Sequence, residues 1–113
     1  DSEIFTRDAL EREMLKAFGK AAELAPSNFD YQMRLGEAYY DLASPDWKSA
    51  LIHWNKLHGD ATTLLRKEIL DLHRARTLGK LGRTNEAETL LINVRNAALQ
   101  DSKTQVINEI AQH

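Results

Sequence analysis

Apolar side chains recur along this chain every three or four positions and never alternate for more than four residues, so the pattern predicts helix throughout. The first helix is expected from Ser2 to Ala25, with Ile4, Phe5, Leu10, Met14, Ala17, Phe18, Ala21, Leu24 and Ala25 on one broad face. Glu3 suits the positive end of its dipole. Pro26 ends it, because proline disfavours helical geometry in the preceding residue and cannot donate to the ladder. Ser27, with Asp30 three positions on, predicts the cap of a second helix running to about Ala43. Ser44-Pro45-Asp46 predicts a restart: a cap, a proline in the first helical position and an acid in the first turn. The third helix is expected to stop near His58, with Gly59 closing it. Asp60 predicts the cap of a fourth helix from about Ala61 to Leu81, striped by Leu64, Leu65, Ile69, Leu72, Ala75, Leu78 and Leu81 and closed by Gly82. A fifth, from Thr84 or Asn85 to about Leu99, uses Ala87, Leu90, Leu91, Val94 and Ala98. Ser102 with Gln105 opens a short sixth through Val106, Ile107 and Ile110. Connections of two to four residues make sequence neighbours antiparallel spatial neighbours.

The pattern also repeats at long range. Met14, Ala50 and Ala87 are separated by 36 and 37 residues. Phe18, Trp54 and Leu91 follow at the same spacings, and so do Ala21, Leu57 and Val94. The three sets occupy positions i, i+4 and i+7 of alternate helices, a small or slim side chain allowing close approach beside a bulky one filling the gap. Gly36 aligns with Ala75, Tyr39 with Leu78 and Ala43 with Gly82.

Leu35-Gly36, Tyr39, Ala50, Trp54 and Leu57, with the Lys20–Asn28 stretch KAAELAPSN, resemble the tetratricopeptide repeat. The likeness spans Lys16 to Leu99 and is strongest in the middle unit. Ser44 and Pro45 stand as a two-residue insertion in its central turn, and Leu57 replaces a small residue. The third unit has Arg74-Ala75 for Leu-Gly and no closing proline, while the first shows only its second helix. The resemblance implies an all-α, right-handed superhelical stack of antiparallel hairpins, about six helices in one domain. Repeat arrays need about three units with atypical ends. The chain is therefore expected either to belong to a longer protein or to be capped by its long first and short last helices.

Composition narrows the function. Fifteen Lys and Arg against seventeen Asp and Glu give a net charge of −2, where a nucleic-acid binder would be basic. No cysteine is present, which excludes disulfides and thiolate metal sites. No apolar run is long enough to cross a membrane, no signal peptide is visible, and the compartment stays open. His53 and His58 are five apart, the wrong spacing for a shared ligand face, so no metal or cofactor is expected. Asp41 and Asp46 flank a turn and read as helix-capping acids rather than an acid–base pair. No phosphate loop or nucleophile motif occurs. A non-enzymatic role is expected.

In the family, the first helices of successive repeats line a concave groove for a peptide or helix. Carried onto this chain, the groove would present Asp30, Met33, Glu37, Tyr40 and Asp41 from the middle unit. From the third it would present Ile69, Leu72, Arg76, Gly79 and Lys80. Met33, Tyr40 and Leu72 would be apolar anchors and Glu37, Asp41, Arg76 and Lys80 orienting charges, favouring a protein partner of basic or mixed charge. Asp30, Met33 and Glu37 stand where the family's carboxylate clamp needs cationic and amide groups, so no such clamp is expected. The alternative is structural assembly. Ile4, Phe5 and Leu10 extend the first stripe beyond what one neighbour can cover, and such a strip drives self-association.

Overall fold

The computed structural model describes residues 2–112, with side chains from residue 7 onward. Among them there are six α-helices, one 3₁₀ turn and no strand, so the all-α reading is correct. The chain divides into two compact units, Asp1–Asp46 and Trp47–His113. Ile4, Phe5 and His113 lie outside the described side chains.

The first unit is a helical hairpin of α1 (Ser2–Leu24) and α2 (Phe29–Tyr40). The cap of α2 is Asn28, one residue later than the predicted Ser27. Asn28 sits in extended backbone, and its Oδ1 accepts from the Tyr31 N–H at 3.1 Å. The open carbonyls where α1 ends are met from α2: buried Gln32 donates its Nε2 to Ala22 O at 2.9 Å and Pro26 O at 3.4 Å. That one side chain both satisfies a helix terminus and fixes how the chain reverses. α2 stops at Tyr40, short of the predicted Ala43. The irregular stretch that follows is pinned by side-chain and backbone bonds: Ala43 N–H donates to Glu11 Oε1 of α1 at 3.1 Å, and Asp46 N–H to Tyr39 O at 3.1 Å.

The second unit is built around α4 (Leu64–Lys80), against which α3 (Trp47–Asp60), α5 (Thr84–Ile92) and α6 (Gln100–Ala111) all pack. A helix with neighbours on three sides must be slim and apolar over most of its circumference. Accordingly Leu70, Leu72, Ala75, Leu78 and Gly79 are buried, and so are Glu68, Asp71 and Thr77. The core joins Leu72, Ala75 and Leu78 to Leu51, Ala87, Leu91, Val94, Val106 and Ile110. The α4–α6 crossing is tight: a Cβ added at Gly79 would lie 2.7 Å from Ile110 Cγ1.

The ends of these helices differ from expectation in informative ways. Gly59 stays helical within α3, and Asp60 is its last residue rather than a cap. Thr63 caps α4, its Oγ1 accepting from the Arg66 N–H at 3.2 Å. Gly82 closes α4 as predicted, at φ +79°, the one positive φ among the described residues. Arg83 N–H then reaches Leu78 O at 2.8 Å and Gly82 N–H reaches Gly79 O at 3.1 Å, a Schellman closure. Leu64 is 73% exposed and Leu65 is also exposed; the packed length of α4 begins only at Glu68.

The predicted fifth helix to Leu99 is broken at Ile92, and the cause is distant in sequence. The buried Glu68 carboxylate accepts the backbone N–H groups of Arg95 and, at 2.9 Å, Asn96. Those amides are thereby withdrawn from an α-helical ladder. Asn96 Oδ1 then accepts from Ala98 N–H at 2.9 Å and starts a 3₁₀ turn, Ala97–Leu99. Val94 O, freed from the helix, is met by Lys103 Nζ at 3.1 Å and Gln100 Nε2 at 3.3 Å. α6 consequently begins at Gln100, ahead of the expected Ser102.

Candidate functional site

Among the described residues, an apolar cleft that packing leaves open lies in the first unit. On α1, Leu10, Met14 and Phe18 recur at i, i+4 and i+8, with Leu15 beside them, so the apolar seam is wider than one helix can cover. α2 contributes the small Ala38, and the pinned segment after it contributes Asp41 and Leu42. Together with Arg7 and Glu11 these residues line a cleft of about 280 Å³. Leu10 and Met14 are 59% and 58% exposed, although both lie on the stripe a core would claim. Leu42 is positioned by its neighbour: the Ala43 N–H bond to Glu11 holds the segment against α1. Glu11 also pairs with Arg7 one turn earlier, at 3.5 Å. A shallower cleft of about 230 Å³ adjoins, sharing Glu11, Leu15 and Leu42 and adding Asp8, Arg12, Ala43 and Ser44.

The residues expected to line a groove fall into both units. On α2, Asp30 and Glu37 are exposed, Met33 and Tyr40 are half-buried, and Asp41 follows the helix on the cleft rim. In the second unit, Leu72 is 7% exposed and belongs to the core, which leaves it little surface to offer a ligand. Arg76 Nε is bonded to Glu109 Oε2 at 2.7 Å, and Lys80 lies over the Trp47 ring, 5.8 Å from its centroid.

Titratable groups gather on the α3–α4 seam. Asp71 Oδ1 is held by His58 Nε2 at 3.1 Å and by an Arg74 guanidinium nitrogen at 2.9 Å, and Arg74 Nε donates to Asn55 at 2.8 Å. Desolvation pulls the His58 pKa below its ordinary value; Asp71 opposes this, while Arg74 and Lys67 reinforce it. His73 stacks on fully buried Trp54, ring centroids 4.3 Å apart, and burial aided by Arg76 lowers its pKa to about 4. Glu68 is held below the usual carboxylate range by its bonds to the Asn96 and Arg95 amides. His58, Asp71 and His73 join α3 to α4, and Glu68 joins α4 to the segment that follows α5. Among the described residues no three His, Cys, Asp or Glu side chains come together as a metal-binding group, and no helix is long and apolar enough to cross a membrane.

The hydrophobic pattern of the chain accounts for only part of the open cleft. Leu10 lies on the strip expected to be uncovered, but Met14 lies at a position the repeat pattern places in the core. Leu42 carries no periodic signal, because its place against α1 depends on a bond from Ala43 to a residue 32 positions away. Comparison with protein-family models, with curated proteins and with solved structures gave no match.

Proposed function

We propose that the chain is a non-enzymatic protein–protein interaction module, an adaptor or scaffold built from tetratricopeptide-like hairpins. The observation that carries the functional reading is the apolar cleft between α1 and the end of α2, where Leu10 and Met14 remain more than half exposed. Contiguous exposed apolar surface of this kind marks sites where another molecule docks. The repeat reading is supported by matched burial. Ala50 and Ala87, Trp54 and Leu91, and Leu57 and Val94 are all buried, pair by pair, 37 residues apart, whereas of their first-helix counterparts Met14 is 58% exposed and Phe18 and Ala21 are half-buried. Exposed Asp30 and Glu37, beside half-buried Met33 and Tyr40, suit a peptide of basic or mixed charge on α2.

The test is to titrate helical and extended peptides into the protein and follow backbone NMR shifts. Saturable shifts on α1 and α2 support the module. Shifts confined to the α4–α6 crossing would count against it. Self-association through the first helix is a second reading, favoured by the same exposed Leu10 and Met14. Sedimentation of the wild type against Leu10→Glu separates the two: a dimer that Leu10→Glu converts to monomer favours assembly, and a monomer in both favours the adaptor.

A further inference from the structure

We infer that the α1–α2 cleft takes an amphipathic helix of a partner protein, apolar on one face and flanked by Lys or Arg. The inference rests on the interaction-module reading and adds the chemistry of the occupant. Three observations point to it.

The first is shape. The lining of α1 runs from Arg7 to Phe18, about 16 Å at ~1.5 Å per residue. That length matches about three turns of a second helix laid alongside. The volume of about 280 Å³ falls just under the range typical of small-molecule pockets. It is suited to receiving a few side-chain knobs from a ridge. A helix offering apolar residues at i, i+4 and i+7 would present those knobs along one face, against the ridge that Leu10, Met14 and Phe18 form at i, i+4 and i+8.

The second is the rim. Asp8, Glu11 and Asp41 border the two adjoining clefts against Arg7 and Arg12. Arg7 is already paired with Glu11, so the remaining balance is Asp8 and Asp41 against Arg12. The third is the charge of the unit as a whole. Residues 1–46 carry ten Asp and Glu against five Lys and Arg, whereas residues 47–113 carry seven against ten. The negative excess thus sits on the unit that bears the cleft. A negative field around an apolar slot steers basic partners in and penalises acidic ones.

The test uses two synthetic amphipathic peptides, each about four turns long, with Leu at i, i+4 and i+7. One has Lys on its flanks and the other has Glu. Binding to the full chain is measured by fluorescence anisotropy at low and high salt, with NMR shifts to locate it. The Lys peptide is expected to bind with shifts at Leu10, Met14 and Leu42, and at least about tenfold more tightly than the Glu peptide at low salt. Added salt should narrow that ratio, because exposed charges are screened. Met14→Glu, at an exposed position, should weaken the Lys peptide by about tenfold. Asp41→Lys should weaken it by a few-fold and strengthen the Glu peptide. Equal binding of both peptides at the cleft overturns the charge assignment and leaves the interaction module standing. Binding that bypasses Leu10 and Met14 overturns the cleft. A dimer that binds neither peptide overturns both in favour of self-association.

Discussion

Two side chains in the second unit show how single positions set its limits. Gly79 sits where α6 comes closest, and a methyl group there meets Ile110 Cγ1 at 2.7 Å. Overpacking of this kind costs about 1–3 kcal/mol, offset by about 1 kcal/mol from the better helix propensity of alanine. Gly79→Ala is expected to lower the urea midpoint. In an Ile110→Ala background the same change should raise it, since only the propensity gain remains; the double-mutant cycle checks the sign reversal. His73 sets a pH limit. Its ring is neutral when stacked on Trp54, with a pKa of about 4 against an ordinary 6.5. The unfolded chain therefore takes up the proton first as pH falls. The stability associated with neutral His73 is complete above pH 6.5 and is lost between 6.5 and 4, about 3 kcal/mol in all. Urea midpoints at pH 7 and 4.5 should fall further for the wild type than for His73→Phe, which keeps a ring and cannot titrate. Shifts shared by both proteins, such as those from His58 and Glu68, cancel in that comparison.

At the scale of the helix, what could be read in advance depended on whether the cause was local. Gly82 was legible as a closure because a left-handed residue after a striped helix needs only its own missing Cβ. The burial of Ala50, Trp54 and Leu57 was legible because it follows the period of one helix. The end of α5 was not. Between Ile92 and Ala97 only Asn93 and Asn96 hint at a break, and neither forces one; the break is fixed by Glu68 on another helix accepting the Arg95 and Asn96 amides. The caps were missed by smaller margins. Ser27 and Asp60 have capping side chains, but Asn28 and Thr63 are the residues whose backbone turns extended at the right place. The candidate cleft fell between these cases: its α1 half lies in the periodic pattern, while its Leu42 wall depends on the Glu11 bond. For Glu68, the expected outcome of Glu68→Gln is faster amide exchange at Arg95 and Asn96 and a lower melting temperature at neutral pH. The deficit should shrink in acid, as the wild-type carboxylate, held low in pKa by those amides, itself becomes protonated.

For the molecule as a whole, the division between residues 46 and 47 decides how stability is distributed. The second unit owns a continuous core around α4, with Trp54 fully buried; the first is a two-helix hairpin whose apolar seam is partly open. Short chains bury a smaller fraction of their surface than large domains do, and a two-helix hairpin alone is marginal. Residues 47–113 expressed alone are expected to stay helical and melt cooperatively by circular dichroism, whereas residues 1–46 alone should not. A non-cooperative 47–113 fragment would contradict the assignment of the core to that unit. The six residues from Asp41 to Asp46, outside any helix and tied down by the Glu11 and Tyr39 bonds, acquire a role from this. They are the stretch a broad-specificity protease should nick first. An occupant seated against Leu42 would shield that stretch from cleavage, so the digestion pattern itself becomes a gauge of whether a guest is present.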